Sequence, residues 1–526
     1  MSRRAARLYP FLFAFVPVLY TAANSPAQFD FEVLALMLGI AVAGCGLVYA
    51  LAALVAGRRG PAALPPFVAM LALILFFAYP RLAKVLSGGA AHPPHAILIP
   101  AGLAVCAALL WWIWRRERLL EGLGRFLTLT GALVVGWSAV QIGAGWLRGR
   151  SDIAGSTLAR ELARPIEGPA SAPEPRRDVY VVVLDEYANS DVLRERFGYD
   201  NRPFEDSLRA LGFHVPAMVR SNYLHTLLSL PSMLNTAHLT GLERELGPKS
   251  SDFAVPNHLL EHNRVARYLG TRGYRYVFFP SQWWHSTKGS AMADTVFHPW
   301  TGFDFMRAMS GGELQRTVGG ISVLRYWDRD HDWEAEHVRR TLGGLAAVPR
   351  AGGPVFAFAH ILKPHDPYVF DSDCETLGRQ KDLDDTGPYL EQLECTNRLL
   401  LETVHAILRA SPVPPIIILQ GDHGTKLLGA TGYDRAEDVP PAAARERFGA
   451  FGAYYLPDGG ASAFGDTVTV VNVLGNVLRY YFGAHLPRAG DETYISPADF
   501  PYAFRKVDAQ WLAGEISAAP KLRAGR

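Results

Sequence analysis

The stretch Asp178-Val-Tyr-Val-Val-Val-Leu-Asp-Glu186 decides the fold of the second half of the chain. A continuous apolar run of this length is typical of a strand that is buried on both faces of a parallel sheet. The run ends in two carboxylates, Asp185 and Glu186, which are poor core residues and good ligands for a hard cation. A helix N-cap or an exposed loop is the simpler interpretation of the same pair.

The residues beyond this strand alternate between strand and helix patterns. Further apolar runs of strand length lie at 274–279, 354–360 and 415–419. Helices are predicted at 202–211, 258–270, 333–347 and 389–410. This alternation predicts an α/β domain with a central, largely parallel sheet. Ligands of such sheets collect at the carboxyl ends of the strands, so the residues directly after each strand are the candidates for a functional site.

The strand at 415–419 is followed by Gln420-Gly-Asp-His-Gly424. Gly421 and Gly424 permit tight turns and a close approach of the backbone. Asp422 and His423 supply one oxygen and one nitrogen ligand, a mixture that suits zinc or manganese. So short a motif arises by chance in some sequences, but its place directly after an apolar strand favours a functional loop.

The strand at 354–360 leads into His360-Ile-Leu-Lys-Pro-His365. Two histidines five residues apart cannot share one face of a helix, so they can converge only through a turn. Either histidine could instead be structural. Elsewhere, Thr226 and Ser229 begin a predicted helix, whose N-terminus favours a bound anion and a deprotonating hydroxyl. An ordinary N-cap is the alternative interpretation of Thr226.

Another polar segment, 280–288, follows the strand at 274–279. Trp284 is a candidate to stack on a head group or glycan, and His285 and Lys288 are candidates to contact phosphate. Arg435, beyond the Asp-His-Gly loop, is a further candidate for an anionic substrate. A surface loop with buried tryptophans explains the segment equally well.

The first 150 residues are predicted to form a membrane anchor. Apolar runs lie at 8–23, 31–56, 64–79, 96–114 and 126–147. Most of them approach the roughly 20 residues that a spanning helix needs, which predicts about five spans. Arginines at the N-terminus, at 58–59 and at 115–118 predict that these three segments are cytoplasmic, although Arg81 and Lys84 in the third loop disagree. Ionisable residues are almost absent from the runs, which favours an anchor over a transporter.

The composition of the whole chain is an average over two halves that differ in polarity. The chain has 526 residues, of which 49% are hydrophobic and 19% charged, and its net charge of +2 gives no sign of a nucleic-acid partner. The predicted organisation is an anchor at 1–150, a helix and Pro-rich linker at 151–177, and a catalytic domain at 178–526. Five spans place this domain outside the cytoplasm, whereas an even number would reverse it. In the catalytic domain, Cys374 and Cys395 can form a disulfide in an oxidising compartment. Cys45 and Cys106 are predicted to be unreactive packing residues within spanning helices.

The order carboxylate, threonine, histidine loop and Asp-His-Gly resembles the alkaline phosphatase/sulfatase superfamily. Within it, the chain is most similar to membrane-anchored phosphotransferases, namely the lipid A phosphoethanolamine transferases and lipoteichoic acid synthase. The resemblance implies a multi-pass protein of the inner membrane with a periplasmic or extracellular catalytic domain. It also implies transfer or hydrolysis of a phosphoryl-linked group on a phosphorylated lipid or envelope glycan. Membrane lipids are then the expected partners, with the oligomeric state left open.

The resemblance carries over to individual residues. Thr226, in the frame Thr-x-x-Ser-x-Pro, falls at the nucleophile and also at a metal ligand. The remaining matches are Asp185, Asp422 and His423 as metal ligands, and His360 and His365 as the pair that lines the phosphate pocket. One or two divalent ions are implied, zinc or manganese ahead of magnesium or calcium.

The chain departs from the family patterns in two places. It has no Cys/Ser-x-Pro-x-Arg frame at Thr226, which disfavours hydrolysis of sulfate esters. Tyr433-Asp-Arg435 stands where the phosphoethanolamine transferases carry a further histidine. A sulfuric ester hydrolase and a non-catalytic binding protein on the same fold remain the alternatives.

Overall fold

The computed structural model describes residues 7–24, 31–57, 61–87, 94–114, 117–281, 287–297, 313–326, 331–348, 354–377 and 386–512. The chain divides into two compact units. The first comprises Met1–Arg148 with Met306–Asp328, and the second Gly149–Phe305 with Arg329–Arg526.

The first unit is helical. Its helices are Tyr9–Asn24, Phe31–Ala56, Leu64–Leu86, His95–Trp114, the larger part of Glu117–Gly155, and Glu313–Gly320 followed by the 3-10 turn Val323–Tyr326. By length and composition, three helices in the described residues can cross a membrane: Phe31–Ala56, Leu64–Leu86 and the segment Glu121–Gly155. Tyr9–Asn24 and His95–Trp111 are apolar but shorter. Three candidate spans are therefore present, and the count of about five stays a prediction.

The helix Leu64–Leu86 runs further than the sequence pattern predicted. The apolar run was expected to end near Tyr79, with Arg81 and Lys84 in a loop. Both bases instead lie in the helix, with Lys84 in its last turn. Long basic side chains at a helix end can reach the membrane surface along their apolar stems. Arg81 and Lys84 are therefore weaker evidence against the predicted orientation of the spans.

The second unit is built on a seven-stranded sheet. Its strands are β1 (Val179–Leu184), β2 (Phe213–His214), β4 (Arg275–Phe279), β5 (Thr295–Val296), β6 (Val355–Ile361), β7 (Ile416–Gly421) and β8 (Gly452–Tyr455). Their order is β2-β8-β7-β1-β6-β4-β5. Among these described strands only β8 runs against the rest. Two small sheets pair β3 (Met218–Arg220) with β9 (Thr467–Thr469), and β10 (Thr493–Ile495) with β11 (Arg505–Val507). The predicted α/β domain with a largely parallel sheet is confirmed.

The central strand β1 is buried on both faces, as its apolar run predicts. Val179, Val181 and Val183 belong to one core cluster, and the alternate residues of the strand belong to the other. Successive side chains of a strand point to opposite faces, so both faces of the sheet are covered. Burying each of these side chains stabilises the fold by roughly 1.5–3 kcal/mol.

The second unit contains twelve helices in the described residues, some of which pack on this sheet. They are Thr157–Leu162, Ser190–Phe197, Arg202–Ala210, Thr226–Asn235, Gly241–Leu246, Ala254–Glu261, Arg264–Gly270, His331–Ala346, Thr386–Ala410, Pro441–Phe448, Val470–Phe482 and Ala509–Leu512, with 3-10 turns at Ala436–Asp438 and Gly460–Ala463. A disulfide joins Cys374 to Cys395 on the helix Thr386–Ala410, so the expected pairing is present. Cys45 and Cys106 are free and buried.

Two predicted helices are interrupted by caps. The single helix expected at 258–270 is wrong, because the Asn263 side chain accepts a hydrogen bond from Ala266 N and starts a new helix there. The helix expected at the start of the segment 151–177 is likewise split, since Ser156 caps Thr157–Leu162 by accepting from Ala159 N. In both cases a short polar side chain satisfies free N–H groups and begins a separate helix.

Candidate active site

Three adjacent strands bring the polar residues to one edge of the sheet. The strand β1 lies between β6 and β7, and its last residue, Leu184, pairs with Ile361 and with Gly421. The segments that follow these strands therefore leave the sheet side by side. Asp185 follows β1, Asp422 follows β7, and β6 leads into the histidine loop.

The centre of the site is a cluster formed by Asp185, Asp422 and His423. One ligand atom from each lies within 4.8 Å of the other two, and all three residues are buried. His423 Nε2 is 3.1 Å from Asp422 Oδ2 and 3.8 Å from Asp185 Oδ1. Those two carboxylate oxygens accept no hydrogen bond from any described residue. Buried carboxylate oxygens without donors are costly, and a cation between them removes that cost.

His423 is oriented as a metal ligand is. Its Nδ1 lies 3.1 Å from the carbonyl oxygen of Gly424, so Nδ1–H donates there and the Nε2 lone pair faces the cluster. Burial, with the charge of Arg447 as a second cause, holds the pKa of His423 well below its usual value. The imidazole is therefore neutral and available for coordination.

The two aspartates oppose each other's ionisation. Burial, with the nearby carboxylate of Asp422, raises the pKa of Asp185 to about 8. Burial also raises the pKa of Asp422 to about 7, against the charge of Arg447 and the hydrogen bond from Glu186 N–H at 3.2 Å. A divalent cation reverses this balance because it favours the charged form of both groups. Two carboxylates, one imidazole nitrogen and a hydroxyl fit such an ion.

Thr226 supplies that hydroxyl. It is the first residue of the helix Thr226–Asn235, and its Oγ1 lies 2.9 Å from His423 Nε2. The N-cap position belongs to His225, so Thr226 is not an ordinary cap. One turn later, Ser229 Oγ donates to the carbonyl oxygen of Asp422 at 2.7 Å. The Thr-x-x-Ser spacing thus fastens the helix N-terminus to the Asp-His-Gly loop.

The two glycines of that loop are required by close packing. A Cβ on Gly421 would lie 2.6 Å from the carbonyl oxygen of Tyr187. A Cβ on Gly424 would lie 2.0 Å from the carbonyl oxygen of Glu446 and 2.6 Å from that of Gly449. No side chain fits at either place without moving backbone, which explains both glycines.

His360 contacts the cluster directly, whereas His365 contacts the neighbouring Glu186 and Lys426. His360 is buried, with Nε2 3.6 Å from Asp185 Oδ2 and Nδ1 3.0 Å from Thr287 Oγ1. Burial lowers its pKa to about 3, so it stays neutral. His365 is 29% exposed and lies at the mouth, where its Nε2 is 3.0 Å from Lys426 Nζ.

Buried polar groups hold the histidine loop in place. Lys363, which is fully buried, donates to Glu334 Oε1 at 2.7 Å and to the carbonyl oxygen of Pro367 at 3.0 Å. Gln392 donates to the carbonyl oxygen of His365 at 2.8 Å. The turn that brings both histidines to the site is therefore fixed by side chains that sequence motifs do not reveal.

The structure adds a cationic group that the sequence analysis missed. Arg447, on the helix Pro441–Phe448, donates to Glu186 Oε1 at 2.6 Å and lies 3.0 Å from His423 Nε2. Burial favours a raised pKa for Glu186, but the charges of His365, Arg447 and Lys426 outweigh it and lower that pKa. Glu186 is thus an ionised partner of Arg447 and Lys426.

The structure describes only two of the four outer candidates. Trp284 and His285 lie outside the described residues. Lys288 is half-buried and follows Thr287, the residue that contacts His360. Arg435 is exposed, and the ion pairs described for it are to Glu437 and Asp438. The roles of all four in substrate binding stay predictions.

Comparison with known proteins gives structural neighbours. No family model matches the sequence, and no curated protein matches it. The C-terminal periplasmic domain of EptC from Escherichia coli matches at a TM-score of 0.46 and 12% identity, over 67% of this chain and 98% of that one. A zinc complex of the same domain matches at 0.44 and 10% identity, over 65% and 96%.

Two further neighbours carry the names of a transferase and a synthase. Lipooligosaccharide phosphoethanolamine transferase EptA from Neisseria meningitidis matches at a TM-score of 0.37 and 12% identity, over 91% of this chain and 95% of that one. The lipoteichoic acid synthase LtaP from Listeria monocytogenes matches at 0.35 and 12%, over 64% and 82%. The neighbours thus include the proteins that the order of motifs predicts. At such low identities and TM-scores, the function has to be argued from the site itself.

Proposed function

We propose that this protein is a membrane-anchored, metal-dependent enzyme that transfers or hydrolyses a phosphoryl-linked group through Thr226, outside the cytoplasm. The convergence of Thr226 Oγ1 with Asp185, Asp422 and His423 carries the proposal, since the hydroxyl lies 2.9 Å from His423 Nε2. A phosphorylated lipid or envelope glycan is the substrate class that suits a chain with a predicted membrane anchor and a site that contains the cations Lys426 and Arg447.

The residues of the cluster would hold one divalent ion, with zinc or manganese suited to the mixed oxygen and nitrogen donors. Such an ion lowers the pKa of a bound hydroxyl and stabilises negative charge on phosphoryl oxygens. Thr226 lies at a helix N-terminus, whose free N–H groups favour the same anion. The lowered pKa would let the Thr226 hydroxyl give up its proton to solvent before it reacts.

The reaction then runs in two steps on this chain's residues. Thr226 Oγ forms a bond to phosphorus while the bond from phosphorus to the leaving alkoxide breaks, which leaves phosphothreonine. The alkoxide takes a proton from the pair formed by His365 and Lys426 at the mouth, where Nε2 and Nζ are 3.0 Å apart. The oxygen of water or of an acceptor hydroxyl then forms a bond to phosphorus while the bond from phosphorus to Thr226 Oγ breaks. The proton of the attacking hydroxyl goes to that pair, and Thr226 Oγ takes a proton back from solvent.

Replacing Thr226 tests the proposal. We expect purified full-length Thr226→Ala to lose turnover of a phosphodiester or aryl phosphate by roughly 10³-fold or more, as removal of a nucleophile does elsewhere. Its metal content should stay close to wild type because three ligands remain. The matched control is Thr403→Ala, which removes another buried threonine hydroxyl that donates only to Leu399 O in its own helix.

The same assays distinguish the alternatives. Turnover of sulfate esters without turnover of phosphate esters would point to a sulfuric ester hydrolase. Wild-type protein that binds metal but turns over none of the three ester classes would point to a binding protein. Unchanged turnover by Thr226→Ala would show that Thr226 is not the nucleophile.

A further inference from the structure

We propose that the segment Glu313–Tyr326 is a lipid-contacting element, which lies at the boundary between the polar and apolar layers of the bilayer. In the sequence this inserted segment falls between β5 and the helix His331–Ala346, and both of these belong to the second unit. In the structure it belongs to the first unit, together with the apolar helices. Its partner is membrane lipid, and the inference does not depend on the proposed reaction.

The inserted segment packs on apolar helices. Its helix, Glu313–Gly320, packs against Tyr9–Asn24, and its 3-10 turn, Val323–Tyr326, packs against Leu64–Leu86. Leu64–Leu86 is long and apolar enough to cross a membrane, and Tyr9–Asn24 is apolar but shorter. The inserted segment therefore shares the surroundings of helices whose composition suits lipid.

The helix of the inserted segment has the pattern of an interfacial helix rather than a spanning one. Leu314, Val318 and Ile321 are four and three residues apart, which places them along one stripe, and Val318 is buried. The helix has 8 residues and so rises only about 12 Å, against roughly 30 Å for the apolar core of a bilayer. A short helix with one apolar stripe lies in the plane of the membrane surface.

The turn that follows this helix satisfies its own polar groups. The N–H and the Oγ of Ser322 donate to the carbonyl oxygen of Gly319, at 2.9 Å and 2.8 Å. The same Oγ accepts from Leu324 N at 3.2 Å, and Ile321 N donates to Thr317 O at 3.1 Å. Backbone groups in surroundings poor in water have to be paired within the protein, so this turn suits such a place.

The same turn exposes a large apolar side chain. Leu324 is 51% exposed, and the helix Leu64–Leu86, against which the turn packs, exposes Leu82 and Val85. In water this apolar surface would be unfavourable, whereas lipid covers it without cost. Internal pairing of the backbone and outward apolar side chains occur together here, and both are expected of an element in contact with lipid.

Spin labels on single cysteines test the inference in full-length protein, reconstituted into vesicles of phosphatidylethanolamine and phosphatidylglycerol. The test variant is Leu324→Cys. The lipid reference is Leu47→Cys, at an exposed position of the candidate span Phe31–Ala56, and the water reference is Met218→Cys, at an exposed position on β3 of the second unit. Collisions of each label with oxygen, which enters lipid, are compared with collisions with a charge-neutral nickel chelate that stays in water.

We expect the ratio of oxygen to nickel collisions at Leu324 to exceed the ratio at Met218 by at least roughly threefold, because an apolar molecule concentrates in lipid. A ratio equal to that at Met218 would place the segment in water and overturn the inference. A label that neither agent reaches would show that protein, such as a second copy of the chain, covers this surface, and this would overturn it too.

A second position covers the case in which Leu324→Cys does not fold. Ile321→Cys lies in the same turn, and its label should show the same preference for oxygen. The unlabelled background is set by the parent chain, whose free cysteines, Cys45 and Cys106, are buried. These measurements use no substrate, so their outcome is separate from that of the proposed function, which fails if wild-type protein turns over no phosphate ester.

Discussion

At the scale of single residues, the site is defined by groups that are poorly satisfied without a cation. Asp185 Oδ1 and Asp422 Oδ2 are buried and receive no hydrogen bond from the described residues. Their shared position near His423 Nε2 makes each unfavourable as an isolated charge. This arrangement of buried carboxylates is costly without a cation, and we therefore expect it to bind a metal ion.

The same two residues predict how metal affinity depends on pH. In the metal-free protein the pKa of Asp185 is raised to about 8 and that of Asp422 to about 7, so both carry protons at pH 6. Metal binding must release them. Affinity should rise roughly tenfold per pH unit for each proton released between pH 6 and pH 8, and level off above that range.

Calorimetry in two buffers of different ionisation enthalpy measures the protons released. The control is Asp185→Asn, which cannot ionise and should release fewer protons while binding metal more weakly. An affinity that does not change between pH 6 and pH 8 would contradict the raised pKa values.

At the scale of elements, the site depends on a loop that packs against a helix end. Gly424 N–H donates to the carbonyl oxygen of Arg447 at 2.7 Å, which joins the Asp-His-Gly loop to the helix Pro441–Phe448. The missing side chain at Gly424 is what allows this approach. The element that holds the metal ligands and the element that carries Arg447 are therefore placed by one contact.

This packing predicts a sharp difference between two glycines. In Gly424→Ala the new Cβ would lie 2.0 Å from Glu446 O, so the loop must move and metal binding should fall by at least roughly tenfold. In the control Gly432→Ala the nearest atom is Gly429 O at 3.4 Å, and metal affinity should stay within about twofold of wild type. Metal titration of both variants measures the difference, and equal affinities would contradict the packing argument.

The elements also show what sequence reasoning can and cannot reach. The apolar runs of β1, β6 and β7 are continuous, so their ends, with Asp185, His360 and Asp422, could be predicted from local sequence. Arg447 could not be predicted, because nothing within the short helix Pro441–Phe448 marks it as buried. Its role arises only when that helix returns beneath the Asp-His-Gly loop. The buried Lys363 is similar, since its partner Glu334 is 29 residues away.

At the scale of the whole molecule, an apolar helical unit and an α/β unit are combined in one chain. The first unit exposes large apolar side chains such as Leu54 and Val55, which are 77% and 88% exposed. Exposed apolar surface of this kind suits a lipid environment. Sequence patterns located its helices well, but the number that span depends on Tyr9–Asn24 and His95–Trp111, whose lengths are marginal.

Labelling in cells tests the predicted orientation. With five spans, a cysteine introduced by Lys249→Cys should react with a membrane-impermeant maleimide in cells whose inner membrane is intact. A cysteine introduced by Gly60→Cys, beside Arg58 and Arg59, should react only after that membrane is permeabilised. The parent chain is the background control, because its free cysteines, Cys45 and Cys106, are buried. The reverse pattern would indicate an even number of spans and a cytoplasmic catalytic unit.

The central claim is that Thr226 carries the transferred group, and peptide mass spectrometry of acid-quenched enzyme tests it most directly. Full-length protein is mixed with a phosphodiester, quenched during turnover and digested, with Thr403→Ala as the active control and Thr226→Ala as the blank. The account predicts a mass increase, equal to the transferred phosphoryl group, on the peptide that contains Thr226 in wild type and in the control. Turnover with an adduct on a different residue, or turnover by Thr226→Ala, would contradict it.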